Sequence, residues 1–486
     1  MKKIVLLVAT ILATCTFSFG QEKETFTLER VLKIAEENSP QLKQSKLSLF
    51  QSKENLKAQN AGLKSQFSLD LNPFAYSKNR SFDKRTSTWY ASETKSSSGT
   101  FIVAQPIKFT DGTISLNNRL SYQDSKSDQA SNKTFSNKLY LRLEQPLFTY
   151  NRTKMALKEL EWSFENAKIN YALQELNIEK SVTQQFYAVY QAQKNLTIAK
   201  DAFKNQEANY TLVKDKVEAG LLKKEELFQA EVNFASSRSD LYNKEIDLEN
   251  TKDNFKQALG IDLDRDFLIL ANVSADKLEV EMKQAVHYGL LQRMELRQKE
   301  ISMEEALFTL IKTKARKEFK GSISASFGLL GQDKSANNMF SNPEDDQAVS
   351  LKLSIPVWDW GANKARVKAS QASIESNKID ATEEKKSIEI GIRKICRNLP
   401  NLLSQIEIAK QNTENSKRTY DLNLEKYRTG NLTGMDLQLF QDQLTKKKQA
   451  LTNALISYKL EVLNLKIQTL WDFENNKSYL PVNLLK

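Results

Sequence analysis

Between Pro146 and Gly220 the chain runs 74 positions without another glycine or proline. Between Pro356 and Gly430 it again runs 74 positions, here broken by Gly361, Gly391 and Pro400. Glycine and proline are the residues that most often end helices, so each stretch predicts a helix of roughly 100 Å at full length. No single globular core covers a helix that long, so it must lie along other helices, as in coiled coils. Each stretch follows an alternating run that closes on Gln145-Pro146-Leu147-Phe148-Thr149-Tyr150 or on Ile355-Pro356-Val357-Trp358-Asp359-Trp360-Gly361. Each glycine is followed by a second helical pattern, opening Leu221-Leu222 or Asn431-Leu432. Strand, long helix, tight reversal and returning helix occur twice, which is the mark of an internal duplication. Gly391 and Pro400 are expected to interrupt the second long helix, since an interior proline costs about 3 kcal/mol and kinks the chain.

Composition agrees with few, long elements. The 486 residues hold only 14 Gly and 8 Pro, a mixture typical of long helices. Past the N-terminus no run of 18 apolar residues occurs, which excludes a membrane-spanning helix. Residues 1–20 read as a secretory signal: Lys2-Lys3, an apolar stretch from Ile4 to about Phe17, then Ser18-Phe19-Gly20, with cleavage before Gln21. A lipoprotein reading through Cys15 is disfavoured by Thr14 just before it. Removal of the signal leaves Cys396 as the one cysteine, so packing rather than a disulfide must hold an exported chain. With one histidine, His287, expected to be partly buried and structural, neither a zinc site nor a catalytic triad can be assembled from the usual residues. The net charge of +11 is spread among interleaved acids, as in Glu384-Lys385-Lys386. That is the pattern of solvated helix faces and argues against nucleic acid.

Along the chain, Thr27 to about Gln66 is helical, with Pro40 opening a second helix. Phe67-Ser-Leu69-Asp-Leu71 alternates as a strand does, and residues 77–98 read as a polar loop. Asp111-Gly112 marks a hairpin turn. The first repeat occupies 21–260 with its tip at residue 220, a linker covers 261–283, the second repeat occupies 284–473 with its tip at 430, and 474–486 is a tail. The first repeat carries about 44 extra residues between its strands. They are expected to form an extension at about 77–135 with the Asp111-Gly112 hairpin as its ordered part, or else to supply strands in place of the Phe67 segment.

The strands carry the informative chemistry. Leu139, Leu141 and Leu143 face one side against Lys138, Tyr140 and Arg142. Val349, Leu351, Leu353 and Ile355 do the same against Ser350, Lys352 and Ser354. This suits a β-barrel with lipid outside and water inside, though a soluble half-buried sheet alternates in the same way. Phe148, Tyr150, Trp358 and Trp360 at the strand exits fit an interfacial aromatic belt. Two repeats of two strands give four, too few to close a barrel, and lipid does not tolerate open edges. A membrane sheet of this size must be shared among several chains.

The duplicated plan, the two strand exits and the tips Ala219-Gly220-Leu221 and Arg428-Thr429-Gly430-Asn431-Leu432 together resemble the TolC family of outer-membrane efflux proteins. The resemblance covers roughly Thr25 to Phe473. It implies a mostly α fold with a membrane β-barrel: a homotrimer in which four strands per chain build a twelve-stranded barrel and long helical hairpins build a periplasmic tunnel. It further implies a passive exit duct in the outer-membrane lipid, with no cofactor and no catalysis. The duct would serve an inner-membrane pump of RND or ABC type through a periplasmic adaptor, docked at Ala219, Gly220, Leu221, Thr429, Gly430 and Asn431. Asp436, six residues beyond Gly430, matches an acidic position at the periplasmic aperture of family members, whereas Leu439 does not continue that pattern. Thr433-x-x-Asp436 is also a helix-capping pattern, so capping and gating both remain open. A periplasmic coiled-coil scaffold is the rival reading, and it leaves the paired amphipathic strands without a purpose.

Overall fold

The computed structural model describes residues 24–84, 87–127 and 131–481. The expected signal sequence and Cys15 lie outside them. In order, the chain forms β1 (Glu24–Phe26), α1 (Leu28–Asn38), α2 (Pro40–Gly62), β2 (Gln66–Asp83), β3 (Thr88–Ile107), β4 (Gly112–Ser127) and β5 (Ser131–Leu147). There follow α3 (Arg152–Glu218), α4 (Lys224–Leu259), β6 (Phe267–Ile269), α5 (Met282–Gln292), α6 (Met294–Lys314), β7 (Lys320–Asp333) and β8 (Glu344–Ser354). The chain ends in α7 (Ala362–Arg428), α8 (Gly434–Thr469), β9 (Trp471–Asp472) and β10 (Lys477–Ser478). The long helices α3 and α7 have 67 residues each, and the returning helices α4 and α8 have 36 each. None of the described helices is long and apolar enough to cross a membrane.

The chain divides into two compact units. One comprises Met1–Ser45, Tyr171–Arg293 and Lys386–Lys486, within the described residues, and the other Lys46–Asn170 and Met294–Lys385.

In the first unit the core gathers around a small parallel sheet, β1 with β6. Phe26 and Phe267 stack at 4.7 Å between centroids, with Phe255 of α4 at 5.7 Å from Phe267. Val31 and Ala35 of α1, Val182 and Phe186 of α3 and Leu259 of α4 pack with them, almost without exposure. Burial alternates along β6, so Phe267 and Ile269 point inward and Leu268 outward, the period-2 signature of a one-sided strand. The segment 261–283, anticipated as a linker, is thus built into the core. Tyr458 of α8 clamps its far end, donating to the Asp276 carbonyl at 2.6 Å and accepting from Leu278 N–H at 3.2 Å. At its edge the Tyr479 hydroxyl donates to the Glu179 carboxylate. Burial pushes the Glu179 carboxyl above the ordinary range, against that bond.

His287 is exposed, contrary to the expectation of a partly buried residue. On α5 the buried positions are Ala285 and Gly289, and a residue two places from each lies on the opposite face. The expected interruption of the second long helix is also absent, because α7 is continuous through Gly391 and Pro400. Ile392, Ile395, Leu399, Leu402 and Ile406 are all buried around them, and this packed stripe outweighs one lost backbone hydrogen bond.

The second unit holds a six-stranded antiparallel sheet in the order β2-β3-β4-β5-β7-β8. The expectation of four strands per chain is therefore corrected to six. The β3–β4 hairpin adds to the Phe67 strand instead of replacing it or forming a separate extension. Residues 77–98, anticipated as a loop, are the far half of β2 and the start of β3, paired from Ser77–Thr94 out to Asp83–Thr88. Serine and threonine line both faces there, so no hydrophobic alternation announced the strands. The Asp111-Gly112 turn lies at the helix-facing end of the sheet. Its Asp111 carboxylate accepts from Thr153 N–H at 2.9 Å, from Thr153 Oγ1 at 2.5 Å and from Arg152 Nε at 3.0 Å. The Asn151 side chain caps Lys154 N–H at 2.7 Å and donates to the Lys108 carbonyl at 2.7 Å. The turn is thus fastened to the first residues of α3, which explains why the hairpin belongs to the sheet.

Replacing Phe267 with alanine should cost about 3–5 kcal/mol, the range for emptying a buried aromatic site. The neighbouring Leu268→Ala should cost far less. Resistance to protease and heat of the two variants, measured side by side, checks the inward and outward assignment.

Candidate functional site: an apolar sheet face and two helical tips

The register of the sheet brings the apolar positions of all six strands to one face. Phe67 pairs with Val103, Val103 with Leu116, Leu116 with Leu141, and Leu141 with Phe327. Alongside, Leu139 pairs with Leu329, Ile323 with Leu351, and Gly321 with Leu353. The expected apolar residues Leu139, Leu141, Leu143, Val349, Leu351 and Leu353 all lie on this face. Ile355 falls one residue beyond the end of β8 and is exposed. The opposite face carries Asp70, Arg119, Lys138, Tyr140, Arg142 and Lys352 among many serines. Lys138 there is paired with Asp346, and Tyr140 lies between the Lys138 and Arg142 cations.

Among the described residues, none covers the apolar face. Phe67 is 70% exposed, Leu71 68%, Leu351 59% and Val349 81%. Contiguous exposed apolar surface on this scale marks contact with a membrane or a partner. The band also runs obliquely: its centre moves from Leu69 in β2 to Leu351 in β8, six residues along the register over five strand-to-strand steps. With strands about 4.8 Å apart and about 3.3 Å per residue, that drift corresponds to a strand tilt of about 40°, the value for barrels. At the helix-facing end, Phe148 packs on Phe319 at 5.0 Å, and Trp358 meets Trp360 edge-on at 5.6 Å. Trp358 and Trp360 are exposed, and Tyr150 is half-buried.

The two tips lie in the other unit and share one geometry. Gly220 has φ +75° and Gly430 φ +82°. Gly220 N–H donates to Val217 O at 3.0 Å and Leu221 N–H to Lys216 O at 2.8 Å; Gly430 to Tyr427 and Asn431 to Lys426 repeat both bonds at the same distances. This paired pattern closes a helix with a left-handed residue, which glycine supplies without a Cβ penalty. Ala219, Leu221, Thr429 and Asn431 surround these glycines, and all are exposed. Lys216 Nζ reaches the Arg428 carbonyl at 3.3 Å, so the tips stand side by side. Val213, Ala230, Tyr420, Tyr427, Leu437 and Leu444 form a buried cluster behind them.

Asp436 is engaged as a cap. Thr433 Oγ1 accepts from Asp436 N–H at 3.2 Å and donates to Asp436 Oδ2 at 2.7 Å, the expected use of an acid in a first turn. Sequence reasoning missed Glu226, which stands six residues past Gly220 just as Asp436 stands six past Gly430. The equal spacing was the available signal. Burial and then the Glu226 carboxylate hold the Tyr427 phenol above its ordinary range. A row of amides also joins α3 to α8: Gln206 donates to Gln438, and Asn205 to Gln441 at 3.4 Å. These four line a cavity of about 300 Å³ with Asn209 and Tyr427. Among the described residues no His/Cys/Asp/Glu group could hold a metal ion.

Comparison with known proteins places this geometry. The "Outer membrane efflux protein" family signature matches residues 113–261 and 290–467, more than half of the chain. SilC of Salmonella typhimurium, described as a probable outer membrane lipoprotein, is 20% identical over 289 residues, 59% of this chain and 61% of SilC. The match thus spans less than two thirds of that relative. Among solved structures, the CmeC outer membrane channel of Campylobacter jejuni superposes with a TM-score of 0.72 at 13% identity, covering 94% of this chain and 88% of CmeC. VceC of Vibrio cholerae gives 0.66 at 14% identity, covering 90% and 94%. At these identities the structures speak for the fold. The family match is what identifies the chain: it belongs to the outer membrane efflux proteins, which are channels and not enzymes.

Proposed function

We propose that the chain is the outer-membrane exit duct of a tripartite efflux or type I secretion system. Three copies share one β-barrel, and their helical hairpins continue as a tunnel into the periplasm. Equal lengths of α3 with α7 and of α4 with α8 support descent of the two halves from one duplicated unit. The observation that carries the proposal is the uncovered apolar face, oblique across the sheet and backed by a polar one. In water that face would collapse on a partner layer, and in a bilayer it needs none. Passage is passive, and energy comes from an inner-membrane pump of RND or ABC type. A periplasmic adaptor joins the two at the exposed glycine tips. The aromatics Phe148, Tyr150, Trp358 and Trp360 mark the periplasmic interface of the bilayer, where amphipathic rings settle. Asp436, with its symmetry mates, lines the periplasmic aperture, where neighbouring carboxylates repel unless cations stand between them.

Leu351→Arg puts a charge on the lipid side at an expected cost of about 2–4 kcal/mol. Lys352→Glu changes only the watery side. The first should block assembly into the outer membrane and the second should not; equal tolerance of both would remove the barrel.

The aperture role is read by comparing Asp436→Ala with Thr433→Ala. Thr433→Ala removes the cap and should lower stability by about 1 kcal/mol. Asp436→Ala keeps the backbone bond to Thr433 and loses only the carboxylate's contact and its dipole interaction, worth about 0.3–1 kcal/mol. Only Asp436→Ala removes the carboxylate, so it alone should change cation block in single-channel recordings. Identical conductance in the two variants would leave Asp436 as a cap and nothing more.

A further inference from the structure

Behind the tips, the cavity of about 300 Å³ between α3, α7 and α8 holds two acceptors that no donor answers. Gln206 of α3 is 7% exposed, and its Oε1 is buried with no hydrogen-bond partner among the described residues. The hydrogen bonds beside it fix which end of that amide is left over. The Asp442 carboxylate only accepts, so Gln438 donates its Nε2 to it at 2.8 Å and turns Oε1 toward Gln206. Gln206 in turn donates its Nε2 to that oxygen, and its own carbonyl is what remains. About one helical turn on, Asn209 donates its side-chain amide to the Tyr427 hydroxyl and leaves Oδ1 buried and unanswered as well. A buried acceptor without a donor is costly. Here two sit three residues apart on one helix, close enough for a single donor group to reach both.

The rest of the lining says what kind of donor fits. Leu212, Leu424 and Leu437 give apolar walls, so water entering there finds few further partners. Tyr420 and Tyr427 are buried in the same lining, and an aromatic face attracts a cation. The Glu226 carboxylate of α4 stands at the rim: a Cβ built on Gly434 would lie 3.8 Å from its Oε2 and 3.9 Å from the Tyr427 hydroxyl. Arg428, also in the lining, donates to Glu425 at 2.8 Å. Two bare oxygens, an acidic rim, aromatic rings and apolar walls are complementary to a positive group with several N–H donors and a short hydrocarbon body.

We propose that this cavity binds a small organic ammonium ion, whose N–H groups donate to Gln206 Oε1 and Asn209 Oδ1 and whose hydrocarbon part lies against the three leucines. The volume is at the lower end of the range for small-molecule pockets, which limits the ligand to a short alkyl or aryl amine. The site lies within a single chain and does not depend on the channel reading. Its occupant touches α3 of the first hairpin and α7 and α8 of the second, so it ties the two hairpins together just behind their tips.

The test titrates hexylammonium chloride into the purified protein in detergent, by calorimetry, with hexanol and potassium chloride as matched controls. The expected result is saturable binding of hexylammonium and of neither control. Asn209→Leu should abolish it. Asn209→Asp keeps the shape and makes the free oxygen anionic; it should tighten binding about tenfold, because a charge-assisted hydrogen bond is about twice as strong as a neutral one. Retention of binding in Asp436→Ala separates this cavity from the acid at the tip, and loss there overturns the assignment. Potassium binding as tightly as hexylammonium overturns the organic ligand in favour of an alkali ion, and equal binding of hexanol overturns the need for charge. No binding to a protein that still unfolds cooperatively leaves a hydrated cavity and overturns the site. As a second measurement, hexylammonium should slow backbone hydrogen exchange around Gly220 and Gly430 in the unaltered protein and not in Asn209→Leu. Binding without any slowing overturns the tie between the hairpins.

Discussion

The backbone of a sheet must have its hydrogen bonds answered, and in lipid nothing but another strand can answer them. That requirement organises the rest of the second unit. It explains why β2 to β5, β7 and β8 form one antiparallel sheet instead of separate hairpins. Long-range pairing of β5 with β7, from Phe135–Asp333 to Leu147–Gly321, joins segments nearly two hundred residues apart in sequence. The apolar side chains follow from the same cause. In the bilayer setting proposed above a leucine needs no covering layer, and Leu139, Leu141 and Leu351 are exposed.

The helices obey a different rule. Their backbone is satisfied internally, so what limits them is burial along one stripe and closure at the ends. The stripe in α7 is deep enough at Ile392, Ile395 and Leu399 to carry a proline. Closure is local and repeated: a left-handed glycine at each tip, then an acid in the first turn of the returning helix, Glu226 or Asp436. Between the two hairpins, amide contacts such as Asn205 with Gln441 run beside the buried apolar cluster of Val213, Ala230, Tyr420 and Leu437.

Much of this was legible from residues alone, wherever one face is apolar and the other polar. The alternation at Leu139 to Leu143 and at Val349 to Leu353 announced β5 and β8, and the glycine spacing announced the helical hairpins and their tips. Residues 77–98 were not legible, because strands wetted on both faces have no period to read, and their pairing comes from register set lower in the same hairpin. The strand count failed because the Asp111-Gly112 hairpin was read as an extension or a replacement for the Phe67 strand, whereas β3 and β4 add to it. Asp111-Gly112 was recognised as a turn, but its attachment to Arg152 and Thr153 depends on a fold that brings residues about forty apart together. His287 and Pro400 were misjudged because a neighbour's packing, Ala285 and Gly289 in one case and Leu399 in the other, overrides the residue's own preference.

The duct proposed above has no reacting atoms, so its function resides in which surfaces face lipid, water and other copies. The sheet presents all three: an apolar face, a polar face carrying Arg119, Lys138 and Arg142, and two open edges. Each surface constrains the others. In the trimer proposed above, association at the edges encloses the polar face and makes its arginines and lysines part of a lumen instead of a surface. Rings of charged side chains then set which ions and solutes pass. At the tips of the proposed trimer the same logic runs without a sheet, since there Asp436 stands beside its symmetry mates. A side chain that merely caps a helix in one chain can thereby line an aperture in three.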